Sequence, residues 1–145
     1  MKKELELYLH IPFCVRKCAY CDFLSNAAED KTIDRYVNAL IREIESCCRA
    51  FQEYTVATVF MGGGTPSILA GTETVRIFRA LYENFEFAKE PEITIEVNPG
   101  TVTREKLELW KNAGINRLSI GLQSADNREL KLLGRIHTFE DFLET

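Results

Sequence analysis

The chain has 145 residues, with 18 basic and 22 acidic side chains, a formal net charge of −4 and an isoelectric point near 5.3. That length suits one domain with an ordinary core, and the acidic balance argues against a nucleic-acid surface, where a basic face is expected. There is no apolar run long enough to span a bilayer, and Glu4, Glu6 and His10 interrupt the apolar stretch a cleavable leader would need, so a cytoplasmic location is the default.

In chain order the pattern is strand then helix, repeated. Leu5–Pro12 alternates as a strand, and Ile33–Phe51 reads as an amphipathic helix. Val56–Met61 is a short β-branched strand, and Thr72–Phe85 is helical. Glu92–Asn98 alternates again, and Thr103–Asn112 is a helix with Thr103 as its N-cap and Gly114 beyond its end. Arg117–Ser124 is a fourth strand and Asn127–Leu133 a fourth helix, with a fresh helical pattern over Thr138–Leu143. Repeated β–α units predict a parallel sheet. Parity within the strands adds more. Leu5, Leu7, Leu9 and Ile11 share one face, opposite Tyr8 and His10. Ile93, Ile95 and Val97 oppose Thr94, Glu96 and Asn98. Leu118, Ile120 and Leu122 oppose Ser119, Gly121 and Gln123. A parallel strand buried on both faces is apolar nearly throughout. Strands apolar on one face only predict helices on that face and a wetter barrel or half-barrel lumen on the other. Four units do not close a barrel, since eight are needed over roughly 250 residues, so the expected fold is α/β: a parallel, partial TIM-type barrel truncated after about four β–α units.

Five cysteines are present, and three of them fall in HIPFCVRKCAYCDF: Cys14, Cys18 and Cys21. An odd number, with three crowded together, suits a reduced metal site better than a disulfide framework. The loop follows a strand and precedes a helix, where functional groups of α/β folds collect. Three thiolates in one loop can ligate an iron–sulfur cubane and leave its fourth iron open. Two alternatives stand beside this. The three positions share one helical face, so they could be buried core cysteines, although Pro12 and Phe13 argue against a long helix here. A structural zinc site would need a fourth ligand, for which His10 is the nearby candidate. Cys47 and Cys48 read as ordinary small buried residues of a helix.

The second strand runs into Gly62-Gly63-Gly64-Thr65-Pro66, which is neither a P-loop nor a dinucleotide fingerprint. It is a tight strand–helix turn or a close backbone approach to a ligand. Glu96 sits on a cavity face and needs a partner, either a ligand or an ion pair with Arg117 or Arg135. Gln123 ends the fourth strand. Arg135, in Leu133-Gly134-Arg135-Ile136-His137, is a surface arginine or an anion-binding guanidinium. His137 receives no role.

Tyr8, His10, Cys14, Cys18, Tyr20 and Cys21 together resemble the Y-x-H-I-P-F-C-x3-C-x-aromatic-C signature of radical S-adenosylmethionine (SAM) proteins, in the variant of the oxygen-independent coproporphyrinogen III oxidases and their relatives. G-G-G-T-P, E-V-N-P, S-I-G-L-Q-S and L-G-R-I-H follow in the order of that family. The resemblance implies a [4Fe–4S] cluster on Cys14, Cys18 and Cys21, whose open iron chelates SAM and whose electron cleaves it to a 5′-deoxyadenosyl radical. It implies SAM contacts from Tyr8, Tyr20, Gly63, Gly64, Thr65, Glu96, Gln123 and Arg135, with the glycine segment toward the amino group of SAM and Arg135 toward its carboxylate. It makes residues 1–145 the N-terminal part of a radical SAM core domain, with further barrel units and a C-terminal domain absent. True oxidases carry a fourth cysteine two residues after the third, where this chain has Phe23. The C-D-F ending resembles the haem-chaperone subgroup, whose members are thought to bind haem and pass it to acceptor proteins. Two functions are therefore expected: haem trafficking, favoured by Phe23, or decarboxylation of coproporphyrinogen III. Haem or a porphyrinogen, a haem-acceptor protein and an electron donor are the implied partners.

Overall fold

The computed structural model of the protein describes residues 2–145. Four strands, β1 (Lys3–Ile11), β2 (Tyr54–Gly63), β3 (Phe87–Val97) and β4 (Arg117–Ile120), form one sheet in the order β1-β2-β3-β4. Every neighbouring pair is parallel. Between the strands run α1 (Asp30–Cys47), α2 (Gly71–Asn84) and α3 (Arg104–Asn112), and two short helices, α4 (Asn127–Leu132) and α5 (Phe139–Glu144), follow β4. The expected α/β architecture of alternating parallel strands and helices is thus present.

The period-two pattern of the strands decides which face the helices cover. Leu9, Ile11, Val59, Met61, Ile93, Ile95 and Val97 are buried and belong to one core with Val37 and Ile44 of α1, Ile77, Phe78 and Leu81 of α2 and Trp110 of α3. The opposite face carries exposed Tyr8 and half-buried His10 and Glu96. Thr94 departs from the pattern: it lies on the polar side yet is buried, with its hydroxyl accepting from Arg117. Leu118 of β4 points the other way in burial, being 39% exposed on the strand's apolar side.

Boundaries differ from the sequence expectation in ways that have local causes. The helix expected from Ile33 starts at Asp30, because the Glu29 carbonyl already accepts from Thr32 and Ile33 and a polar first turn carries no apolar signal. It ends at Cys47, and Cys48–Phe51 tighten into a 3₁₀ turn. β3 begins at Phe87 rather than Glu92. Pro91 lies inside it, at the place where pairing with β2 jumps from Val56–Phe87 to Thr58–Glu92; a residue with no N–H is tolerated where the ladder is already interrupted. β4 stops at Ile120 instead of Ser124. Thr103 caps α3 as expected, its hydroxyl accepting from the Lys106 N–H. Cys47 and Cys48 are half-buried rather than buried, and they straddle the end of α1 with their thiols turned to nearby carbonyls of Ile44 and Glu45.

Candidate functional site

All four strands of the sheet run parallel, so their C-terminal ends lie along one edge. The Cys14–Cys21 loop leaves β1 there without forming a helix, which removes the reading of three cysteines on one helical face. Its base is held by a short parallel bridge between Phe13 and Asn26, with Cys14 N–H donating to the Asn26 carbonyl and Asn26 N–H to that of Pro12. Its far side docks on the turn after α4: Ala19 N–H donates to the Leu133 carbonyl at 3.1 Å, and Arg16 donates to that of Gly134 at 2.8 Å.

Gly62, Gly63 and Gly64 are required because three different groups occupy the space a side chain would take. A Cβ on Gly62 would lie 2.9 Å from the Glu96 carboxylate, one on Gly63 2.6 Å from the His10 ring, and one on Gly64 2.5 Å from the Phe13 carbonyl oxygen. Gly63 also has φ +113°, a conformation that only glycine adopts freely. The turn is locked onto the cysteine loop by Gly64 N–H to the Ile11 carbonyl and Thr65 N–H to that of Phe13, at 2.8 and 2.7 Å. It therefore makes the tight turn foreseen for it, and the groups that approach its backbone most closely are the chain's own.

A cavity of about 380 Å³ opens above this edge, within the usual range for small-ligand sites. It is lined by Cys14, Cys18, Cys21 and Tyr20 of the loop, by Gly63, Gly64 and Thr65 of the turn, and by Glu96, Gln123 and Arg135. The structure thus brings together every candidate named from the sequence except Tyr8. That residue lies deeper on the sheet, 58% exposed, stacked on Phe60 and hydrogen-bonded to His10 Nδ1 at 3.0 Å. Burial and the Glu96 charge push its hydroxyl pKa up. Tyr20 is likewise shifted upward, chiefly by burial, with the Arg135 charge opposing.

Gln123 reaches the cavity by a different route from the one its strand parity suggested. It lies past the end of β4 with φ +71°, in the irregular turn before Asp126, which caps α4. Arg135 is not a surface side chain. Gly134 (φ +75°) ends α4 with the paired bonds of a Schellman turn, Gly134 N–H to Lys131 and Arg135 N–H to Leu130. This aims the guanidinium inward, where Nη2 donates to Asn98 Oδ1 and to the Gly121 carbonyl, each at 2.9 Å. Glu96 makes no ion pair among the described residues; its Oε2 accepts from the Gly63 N–H at 3.0 Å, and Arg117 lies instead near Glu92. His137 is buried, braces the Leu122 carbonyl through Nε2, and is held by burial below the ordinary imidazole pKa.

The donor set fits a thiolate-ligated cluster. Thr65 Oγ1 donates to Cys14 Sγ at 3.3 Å and Arg135 Nη1 to Cys18 Sγ at 3.6 Å, outer contacts of the kind that orient metal-ligating sulfur. Among the described residues no three His, Cys, Asp or Glu side chains converge as one mononuclear ion would require. His10 is no fourth ligand, because Nδ1 faces Tyr8 and Nε2 faces the Leu24 carbonyl. Arg135 Nε is buried without a partner among the described residues, and the Glu96 carboxylate has accepting capacity left. One unused donor and one unused acceptor lining the same cavity suit a ligand bearing both carboxylate and ammonium.

Three residues that shape the cavity were not singled out from the sequence. Asn98 joins Arg135 to Thr65, and Arg16 and Ser119 line the cavity. Asn98 and Ser119 carried one signal, their place on the polar faces of the third and fourth strands, and Arg16 carried none.

Known proteins place these observations in a family. The chain is 43% identical over 134 residues to the haem chaperone HemW of Escherichia coli, covering 92% of this chain and 35% of that protein. It is 36% identical over 138 residues to HemW of Lactococcus lactis, covering 95% and 35%. It is 37% identical over 142 residues to the mouse mitochondrial radical S-adenosyl methionine domain-containing protein 1, covering 96% and 31%. Among solved structures, coproporphyrinogen III oxidase (HemN) of Escherichia coli, described as a radical SAM enzyme, superposes with a TM-score of 0.90 at 32% identity, over 99% of this chain and 33% of that one. The chain spans about a third of the length of each of these relatives. Radical SAM proteins hold a [4Fe–4S] cluster and SAM in general, which agrees with the chemistry of the cavity wall. The profile of the Radical SAM superfamily matches residues 8–145, from the strand that leads into the cysteines to the last helix, and the chain belongs to that superfamily.

Proposed function

We propose that this chain is the cluster- and SAM-binding part of a haem chaperone, a protein that binds haem and inserts it into acceptor proteins. The observation that carries the reading is Phe23. It stands where the oxidases have a fourth cysteine, lines the cavity and is 64% exposed. A thiol-free, apolar rim offers no fourth sulfur there. The relatives named haem chaperones support the same choice. Cys14, Cys18 and Cys21 would ligate the cluster, which supplies a single electron to SAM when both are bound. Glu96 would accept from the SAM ammonium, Arg135 would donate to its carboxylate, and Tyr20 and Gln123 would border it. The haem site, the acceptor protein and the electron donor would involve chain beyond these 145 residues, with further β–α units completing the barrel next to β4. A second reading, oxidative decarboxylation of coproporphyrinogen III, is favoured by the close superposition on the oxidase.

The two readings separate when haem and coproporphyrinogen III are each added to the full-length, anaerobically reconstituted protein. The expected result is a haem absorbance spectrum that co-elutes with the protein, with coproporphyrinogen III recovered unchanged. Production of protoporphyrinogen would reverse the assignment.

The cofactor roles have their own test. Adding SAM is expected to change the EPR spectrum of the reduced cluster. Glu96→Gln keeps the shape of the side chain but removes its charge. Loss of a charge-assisted hydrogen bond should raise the SAM concentration needed for half of that change roughly 10- to 100-fold, while iron content stays at the unsubstituted level. Undiminished SAM response in Glu96→Gln would remove Glu96 from the site.

A further inference from the structure

Two of the three cysteine sulfurs are joined by a continuous chain of hydrogen bonds through groups that are not ligands. Arg135 Nη2 donates to Asn98 Oδ1 at 2.9 Å, Asn98 Nδ2 donates to Thr65 Oγ1 at 2.9 Å, and Thr65 Oγ1 donates to Cys14 Sγ at 3.3 Å. At the other end the same guanidinium donates to Cys18 Sγ at 3.6 Å. The direction of every bond follows from the chemistry of the groups. A guanidinium has only donors, so the amide of Asn98 must turn its oxygen to Arg135 and its NH₂ to Thr65. An amide NH₂ has only donors as well, so Thr65 Oγ1 must accept from it, and the single hydroxyl proton is left to point elsewhere. Cys14 Sγ is the acceptor within reach.

The residues of this chain are held against rearrangement. Thr65 is 3% exposed and its N–H is tied to the Phe13 carbonyl. Asn98 N–H donates to Ser67 Oγ at 3.1 Å, and its carbonyl accepts from the Thr101 hydroxyl at 2.6 Å. These bonds fix the Asn98 main chain just past the end of β3, and its amide is held by its own bonds to Arg135 and Thr65.

We propose that Asn98 is a positioning residue: by fixing the direction of the Thr65 hydroxyl proton onto Cys14 Sγ, it raises the reduction potential of the cluster. This deepens the proposed function and rests on the cluster being ligated by Cys14. Reduction adds negative charge to the cluster and its sulfurs, and a proton donor aimed at a ligating sulfur stabilises that charge. Thr65 is the donor and Asn98 is what aims it.

The experiment is an EPR-monitored redox titration of the reconstituted full-length protein and four variants. Thr65→Val removes the donor and is expected to move the midpoint potential to a more negative value. Thr65→Ser keeps the hydroxyl and is expected to leave it in place. Asn98→Asp presents two acceptors, so the Thr65 proton turns from Cys14 to the new carboxylate; its added charge also lowers the potential. The double variant separates the two effects. Asn98→Asp should shift the potential further when Thr65 is present than in the T65V background, where only the charge acts. Equal shifts in the two backgrounds, or an unmoved potential in Thr65→Val, would overturn the proposal. If Asn98→Asp does not load iron, Asn98→Ala in the Thr65 and T65V backgrounds makes the same comparison: a shift with Thr65 present and none in T65V is expected, and equal shifts overturn the proposal. Absence of iron from the unsubstituted protein would instead overturn the cluster reading itself, and with it this proposal.

Discussion

Alanine at any one of Cys14, Cys18 or Cys21 is expected to reduce iron from about four atoms per reconstituted chain to near none and to abolish the broad visible absorbance, if the loop ligates a cubane of the kind its spacing suggests. The three thiols are half-buried, free and line one cavity. Two of them already receive hydrogen bonds from Thr65 and Arg135. Removing one leaves two thiolates for a cluster that has only three ligands from this loop, and neither His10 nitrogen is available to substitute. Alanine at Cys47 or Cys48 is expected to leave iron unchanged, because those thiols face carbonyls at the end of α1. Iron analysis and absorbance after anaerobic reconstitution read the result. Full iron in any of the three loop variants, or stoichiometric zinc without iron in freshly purified anaerobic protein, would refute the ligand assignment.

Gly64→Ala is expected to destabilise the protein by about 3 kcal/mol, at the upper end of ordinary overpacking, and to lower Tm on the order of 10 °C. The added methyl would lie 2.5 Å from the Phe13 carbonyl oxygen and 2.9 Å from that of Ile11. Neither can yield cheaply. Both oxygens accept bonds from the glycine turn itself, and the Phe13 segment is pinned through Cys14 and Pro12 to Asn26. The strain therefore falls on the root of the cysteine loop, and iron incorporation should fall with stability. Gly100→Ala is the control. It has φ +77° but nothing within 4 Å of the new methyl, so it should cost only the backbone term of about 1–2 kcal/mol and leave iron content alone. Calorimetry and iron analysis of the two variants test this; a Gly64→Ala protein as stable and iron-replete as the unsubstituted one would mean that the turn is not rigid.

Much of this arrangement was legible from local patterns. The alternation of Ile93, Ile95 and Val97 with Thr94 and Glu96 assigned the helix-facing and cavity-facing sides of β3, because period two is a property of the strand itself. What could not be read depended on distant partners. Gln123 continued the parity of β4 in sequence, yet the strand ends at Ile120 and a left-handed residue turns the chain. Tyr8 shared a face with the cavity residues but stacks lower down, on Phe60 of the neighbouring strand. Asn98 acquires its role only from Thr65 and Arg135, 33 and 37 residues away. The extra length of β3 was hidden by Pro91, which ordinarily argues against a strand interior.

The cysteine loop rests on the turn after α4 through Arg16–Gly134 and Arg135–Cys18, contacts separated by 118 and 117 residues. That separation has a temporal meaning. A ribosome adding residues at roughly 5–20 per second needs on the order of 6–24 s to pass from one partner to the other. Throughout that interval the three thiols exist without the wall that will shelter them. Contacts of such range are also the last to close in a folding chain, because the entropy of closing the loop must be met before they form. Cluster insertion that waits for the Arg135 turn would therefore report that all four strand–helix units have come together, and the metal site would serve as the chain's own record of completed assembly.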